Sequence, residues 1–257
     1  DYWFDPAASA ADSLAEAWRR LAIQDHVRFA RRALRELPPD SLVLDVGCGG
    51  GLFLRELHLP EHRAFGLDFS LDAASVAWSS NGVPVACGAL TRAPFRPASF
   101  GLITMFHVLE HLYDPTAYLD AARELLIPEG RLVIQVPNAG CWQFLLFGAA
   151  WNGLDVPRHL IDFRESDLET LLDAAGFEIV RRKHFSLRDN PAGLASTLAP
   201  GLDPMGRRVR RADSSPRARL LKDALYFLLA LASVPFTVLE AACRAGSTVM
   251  IEARRKP

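Results

Sequence analysis

Apolar and polar positions along this chain follow two alternating rhythms. Short apolar runs near residues 42–46, 63–67, 83–87, 100–105 and 131–136 have the length of strands. Stretches from about 51, near 71–79 and near 115–126 carry helical spacing. The run at 101–106, Gly-Leu-Ile-Thr-Met-Phe, is apolar almost throughout, as a strand buried on both faces requires. Strand and helix in turn predict a doubly wound, mostly parallel α/β sheet. A helix near 166–175, a strand near 176–185 and a last strand at 247–253 resume the pattern. Before it, residues 9–37 are rich in Ala and Arg, with Leu14, Trp18, Leu21, Val27, Phe29 and Leu34 as apolar positions, and Pro38-Pro39 stops the segment. One or two helices capping the sheet are expected there. Residues 139–165 read as an aromatic, irregular insertion. Residues 189–218, rich in Pro, Gly, Arg and Ser, read as a loop.

The sharpest break in the pattern falls at 43–54, Val-Leu-Asp-Val-Gly-Cys-Gly-Gly-Gly-Leu-Phe-Leu. A strand ends in Asp45, and Gly47, Gly49, Gly50 and Gly51 turn the chain into a helix. Glycines at such a turn let a backbone approach a ligand and adopt positive φ. The dinucleotide fingerprint G-x-G-x-x-G places a pyrophosphate on the helix N-terminus, but its last glycine would fall on Leu52. Asp45 would also repel a pyrophosphate, whereas it would attract an ammonium. Asp68 ends the next apolar strand, where a carboxylate can accept hydrogen bonds from a ribose diol. Acid, glycines and acid together suit adenosine carrying a cationic amino acid, which is S-adenosylmethionine.

The chain resembles the class I S-adenosylmethionine-dependent methyltransferases through five blocks: 43–51, 66–70, 93–115 with His107-Val-Leu-Glu110-His111, 126–138, and 157–163 with Pro157-Arg158-His159-Leu160 followed by 171–179. Within the family it is similar to the small-molecule branch that methylates quinones and glycans. The resemblance implies a Rossmann-like seven-stranded sheet with an antiparallel C-terminal strand, an N-terminal helical cap and a substrate-side insertion. It implies one domain over 1–257, with a cap at 1–39, a cofactor core at 40–188, a loop and apolar helix at 189–245, and a final strand and tail at 246–257. The cofactor would meet Asp45, Gly47, Cys48, Gly49 and Gly51 at its methionine end, Asp68 at the ribose, and Phe69, Ala89 and Leu90 at the adenine. Ala89 stands where family members often carry an acid. Phe106, His107 and Val108 would line the same site. His111 and His159 are the expected catalytic residues, and Asn138, Trp151 and Arg158 the expected substrate contacts.

These residues have bland readings too. An imidazole titrates near ~6.5 and can take a proton from an acceptor hydroxyl, and arginine can hold a carboxylate or phosphate. Arg158 and His159 could equally tie the insertion down, and Asn138 could be a turn residue. Trp142, Phe144, Phe147 and Trp151 fit a wall or core. His107, Glu110 and His111 match H-x-x-E-H formally, yet a buried strand ends just before them and Pro115 follows, so a zinc hydrolase is not expected. No metal is assigned, although an ion on Glu110 and His111 stays open.

Composition narrows the class further. A net charge of −1 gives no nucleic-acid signature. Four scattered cysteines argue against zinc and against a disulfide framework. No leader sequence is visible, so a cytoplasmic enzyme is the expectation. Residues 224–239 carry no charge and follow Arg207, Arg208, Arg210, Arg211, Arg217, Arg219 and Lys222, against Asp213. As a helix this stretch would span about 24 Å, short of a ~30 Å bilayer core, and Pro235 should break it. Contact with an anionic membrane through 207–239 at the inner face, a cover for the sheet and a homodimer partner all stay open. The reading is methyl transfer from S-adenosylmethionine, leaving S-adenosylhomocysteine, to a hydroxyl of a lipid-linked, glycan or natural-product intermediate. The alternatives are an N- or C-methyltransferase of a nucleotide sugar or natural product, a non-catalytic binder of the cofactor, and, more distantly, an NAD-dependent dehydrogenase.

Overall fold

The computed structural model of the protein describes residues 10–60, 63–210 and 215–256. The side-chain expectations at Leu14, Trp18, Leu21, Arg208, Arg211 and Asp213 lie outside the described residues. Two compact units emerge. Among the described residues, a sheet unit holds those up to Val136, Ser166–Arg182 and those from Met250 on; a helical unit holds those in Pro137–Glu165 and Lys183–Val249.

The strands are β1 (Leu42–Val46), β2 (Ala64–Asp68), β3 (Val85–Cys87), β4 (Phe100–Phe106), β5 (Leu126–Pro137), β6 (Phe177–Lys183) and β7 (Thr248–Arg255). Their order is β3-β2-β1-β4-β5-β7-β6. The first five pair in parallel. β7 runs against its neighbours: Asn138, just past β5, donates its N–H to Ser247, just before β7, and Lys256, just past β7, donates to Gly176, just before β6. The helices are α1 (Ala10–Leu34), α2 (Leu52–Leu57), α3 (Leu71–Asn81), α4 (Pro115–Leu125), α5 (Trp142–Phe147), α6 (Glu165–Ala174), α7 (Asn190–Leu198), α8 (Pro204–Val209) and α9 (Pro216–Ala242).

Local chemistry sets the helix starts. Ser70 caps α3 by accepting the Ala73 N–H at 3.3 Å, and Asp114 caps α4 through Ala117, with Pro115 in the first turn. The N-terminal cap is a single described helix. Val27, Phe29, Ala30 and Ala33 of α1 pack with Phe53, Leu54 and Leu57 of α2 over Val43, Leu102 and Val133 of the sheet. That packing sets α1 against β4 and α2, beside the glycine turn.

The helical unit departs from the sequence reading. Residues 189–218 are not a plain loop, because α7 and α8 form inside them. α7 is a poor helix former by composition, but Leu194 and Ala195 are buried and the helix lies along α9. Tertiary packing overrides weak propensity here. Pro235 does not break α9 either. Its ring sits on the exposed side, and the helix is held through the opposite side against α7. Arg207, counted as part of a basic lead-in, is buried and paired with Asp223 between α8 and α9.

Candidate functional site

The glycine turn is closed by its own amides. Gly47 and Cys48 donate their N–H groups to the Leu67 carbonyl at 2.7 and 3.2 Å, and Gly51 donates to the Cys48 carbonyl. Gly49 donates to Oδ2 of Asp68 at 2.8 Å, while Oδ1 of the same carboxylate accepts the Ser70 N–H at 2.8 Å. Amides used in this way do not form a pyrophosphate cradle, which agrees with Leu52 standing in place of the last fingerprint glycine. From the other side, Asn81 at the end of α3 donates to the Gly50 carbonyl. Gly47 has φ +72°, and a Cβ there would come within 2.7 Å of the Val108 side chain, so only glycine fits the crossing.

Asp45 is buried on β1, in register with Thr104 of β4. The Thr104 hydroxyl donates to Asp45 Oδ1 at 2.6 Å. Burial lifts the Asp45 carboxyl to about 7; the Thr104 hydrogen bond works against the rise and the nearby Asp68 charge adds to it. Two carboxylates that sense each other beside a glycine turn make a site that repels phosphate and favours a cation. Thr104 is a residue the sequence reading passed over. Its signal was present: it is the one hydroxyl in the buried β4 run.

Beyond Asp68 the chain opens a cavity of about 470 Å³, lined by Leu67, Phe69, Cys87, Gly88, Ala89 and Arg92 among others. Phe69 is 79 % exposed beside it, a flat apolar surface with nothing of its own to cover. Leu90 was expected to serve through its backbone. Its side chain is buried and its carbonyl accepts the Ala93 N–H, while Ala89 lines the cavity. Cys48 also departs from its expected role. Its sulfur packs against Gly66, where a Cβ would lie 2.6 Å from it, and its amide is committed to Leu67. Burial pushes its thiol well up from the usual range, as expected of a packing group and not a reactive one.

At the end of β4 the predicted lining residues are held by their neighbours. The Phe106 ring stands edge-on between His26 of α1, at 4.7 Å, and Phe53 of α2, at 4.9 Å. His107 takes φ +58°, which turns its ring between Glu110 and Gln135. The buried Glu110 accepts from Nδ1 at 3.0 Å, and the Gln135 amide meets Nε2 at 2.9 Å. The H-x-x-E-H sequence is therefore a strand end and a 3-10 turn (Leu109–His111), not the single helix face that a zinc protease motif requires. His111 is exposed at the end of that turn.

The helical unit holds the other expected residues. Asn138 is not displayed to a substrate: it is buried, Nδ2 donates to the Gly246 carbonyl at 2.9 Å, and Oδ1 accepts the Gly140 N–H at 3.0 Å. The residue holds a turn after β5, because a buried amide must use both ends. Trp151 is likewise a packing residue, buried with its ring 5.6 Å from Phe144. Arg158 pairs with Asp155 at 2.5 Å, three residues earlier. His159 is half-buried, with Nδ1 2.8 Å from the Gly153 carbonyl. A carbonyl only accepts, so Nδ1 is the donor in that contact.

The residues of the sheet unit fit S-adenosylmethionine. Asp45 is a buried acid beside the glycine turn, with Asp68 near it, and an ammonium is the ligand group that would hold it in its ionised form. The crossing at Gly47 has no room for a Cβ, and a cavity opens beside Phe69. This arrangement on a sheet with an antiparallel last strand defines a class I S-adenosylmethionine-dependent methyltransferase fold. The chain belongs to the family described as methyltransferase domain, whose profile matches residues 15–182. Over 148 residues it is 31 % identical to a ubiquinone biosynthesis O-methyltransferase of Idiomarina loihiensis, covering 53 % of this chain and 61 % of that protein. A ubiquinone biosynthesis O-methyltransferase of Methylococcus capsulatus is 30 % identical over 68 % of this chain and 78 % of its own length. The chain thus spans about three fifths of the Idiomarina relative. Among solved structures, a SAM-dependent methyltransferase of Thermotoga maritima superposes with TM-score 0.56 at 17 % identity, covering 95 % of each chain. Magnesium protoporphyrin IX methyltransferase of Synechocystis, with bound SAH, superposes with TM-score 0.56 at 15 % identity over 98 % of this chain and 90 % of that one. These two superpositions establish the shared fold.

Proposed function

We propose that this protein transfers a methyl group from S-adenosylmethionine to a hydroxyl oxygen of a small molecule. The observation that carries the donor half is Asp45, a buried carboxyl lifted to about 7 beside Asp68 and a glycine turn. Asp45 with the 47–51 turn would hold the methionine end, Asp68 the ribose, and Phe69 with Ala89 the adenine. Phe106, His107 and Val108 would close the same side. When bound, S-adenosylmethionine supplies a methyl group already activated by its sulfonium. The protein's remaining work is to align the acceptor, exclude water and take away the hydroxyl proton.

Oxygen is favoured by the names of the relatives and by His159. Its Nδ1–H is fixed on the Gly153 carbonyl, so Nε2 is the nitrogen able to take a proton. Arg158 would serve an anionic acceptor by exchanging Asp155 for it, and His111 is the second candidate for proton transfer. The acceptor would be a hydroxylated lipid-linked, glycan or natural-product intermediate, met at the cytoplasmic side. We expect His159→Gln to lower kcat by about 10²–10⁴-fold while leaving affinity for S-adenosylhomocysteine unchanged. Steady-state kinetics beside calorimetry checks this, and an unchanged kcat would remove His159 from the reaction. Tight cofactor binding without turnover on any hydroxyl, amine or carbon acceptor would mark a regulator instead.

The pH dependence of binding follows from the same carboxyl. Burial raises Asp45, so the free protein keeps it protonated up to about pH 7. The ionised form is the partner of an ammonium, so binding below that pH must release a proton. Affinity should fall by up to about tenfold per pH unit there. Above ~8 an α-ammonium loses its own proton, so affinity should peak between the two limits. Thr104→Val removes a hydrogen bond that holds Asp45 down, and should move the acid limb to higher pH. Calorimetry across pH 6–9 in buffers of different ionisation enthalpy reads both effects; a flat profile with no proton release would contradict the assignment.

A further inference from the structure

Helix α9 has its polarity turned inside out. The face it sets against α7 and α5 carries its polar groups: Tyr226 hydrogen-bonds the Ala192 carbonyl and the Ser196 hydroxyl, Ser233 and Thr237 are buried, and Glu240 accepts two hydrogen bonds from Gln143 at 3.0 and 2.8 Å. The outward face carries Leu221, Leu225, Leu228 and Leu231 in steps of three and four, with Val238 and Leu239 further on, all exposed. Leu228 and Leu231 are 59 % and 58 % exposed. In a helix facing water the two faces would be exchanged. Only 22 % of its most apolar window is buried. A contiguous apolar stripe of this length on a folded surface marks a site of contact.

Charge decides what that contact is. Between Asp223 and Glu240 the helix carries no charged residue. At one end stand Arg217, Arg219 and Lys222, and just past the other stands the exposed Arg244. Asp223 pairs with Arg207 and, at 3.9 Å, with the exposed Arg219, and Glu240 is buried. Two copies packed antiparallel through this face would set Arg217, Arg219 and Lys222 of each towards Arg244 of the other. Two parallel copies would set like ends together. An anionic phospholipid layer has no such conflict: its acyl chains can take the apolar stripe while its headgroups meet the basic groups at either end of the helix. The charge-free stretch of 16 residues spans about 24 Å, less than the ~30 Å of a bilayer core. Its inner face is also occupied by α7. Arg217–Ala242 is long and apolar enough to cross a membrane by length and composition, but the short charge-free core and the occupied inner face favour lying in the bilayer plane.

We propose that α9 is an in-plane membrane anchor: its leucine face sinks into the acyl boundary of an anionic lipid layer, with the arginines and lysine at its ends on the headgroups. The inference does not depend on the reaction proposed above. The test is flotation of the full chain with phosphatidylcholine vesicles, with and without phosphatidylglycerol, at low and high salt. The wild type should float with the phosphatidylglycerol vesicles at low salt and be partly released by salt. Leu228→Glu with Leu231→Glu should lower partition by more than about tenfold, since two side chains that enter the apolar layer are lost. Arg217→Glu with Arg219→Glu should abolish the preference for phosphatidylglycerol. Both variants should keep the wild-type circular dichroism and affinity for S-adenosylhomocysteine, because they alter exposed positions outside the cofactor site. Partition unchanged by the leucine substitutions would overturn the proposal. So would the absence of flotation together with a concentration-dependent dimer that those substitutions dissolve, which would assign the face to a second copy.

Discussion

Replacing Asp68 with alanine should weaken S-adenosylmethionine binding by about 100-fold or more. The carboxylate is buried and does two jobs. It accepts the Gly49 N–H on one oxygen and the Ser70 N–H on the other, which pins the glycine turn and the lead-in to α3. Each oxygen keeps a second lone pair, and these are what a ribose diol would use. Alanine removes the ligand contacts and leaves two backbone donors without their acceptor. Hydrogen bonds to a charged group are worth roughly 1.5–3 kcal/mol each, so two lost ribose bonds already exceed a factor of 100. Asp68→Asn is no rescue, because the new amide would set a donor against one of those N–H groups. His159→Ala, by contrast, should leave cofactor affinity nearly unchanged. Calorimetry of the two alanine variants side by side decides it; the reverse order would contradict the placement of the ribose.

Gly47→Ala should be the most damaging single methyl in the sheet unit. The position has φ +72°, which costs an L-residue about 1–2 kcal/mol. The new Cβ would also stand 2.7 Å from Cγ2 of Val108, a stiff β-branched side chain in the turn that leaves β4. Overpacking of this kind adds about 1–3 kcal/mol. The thermal midpoint should drop by on the order of 5–10 °C, with loss of cofactor binding. Val108→Ala in the same chain should recover the part due to the contact and not the part due to φ. A Gly47→Ala protein with wild-type melting and affinity would show that the turn is looser than its geometry.

Much of this was legible in the sequence, for reasons that differ by element. The strands around the site were readable because β1 and β4 are short apolar runs and the sheet is parallel, so period and order carry the information. Asp45 and Asp68 stood out as candidates because an acid at the end of a buried strand has few structural uses. Thr104 did not, since its meaning arises only from the β1–β4 register that sets it opposite Asp45. Asn138 and Trp151 misled for a related reason. A polar or aromatic residue after a strand can face a ligand or close a turn, and only its buried hydrogen bonds or ring contacts tell which. The helical unit was hardest to read. α7 has weak propensity and is held by α9, while Pro235 is tolerated because it faces outward; both outcomes are set by packing that lies beyond a local window.

The donor is the centre of the account, and one titration tests it. S-adenosylmethionine, S-adenosylhomocysteine and NAD are each added to the purified wild-type chain in a calorimeter at pH 7.5. Expected is one site per chain for S-adenosylmethionine, shared competitively with S-adenosylhomocysteine, and no heat from NAD. Binding of NAD with none of either sulfur compound would restore the dinucleotide reading of the glycine turn and contradict the assignment of Asp45 and Asp68.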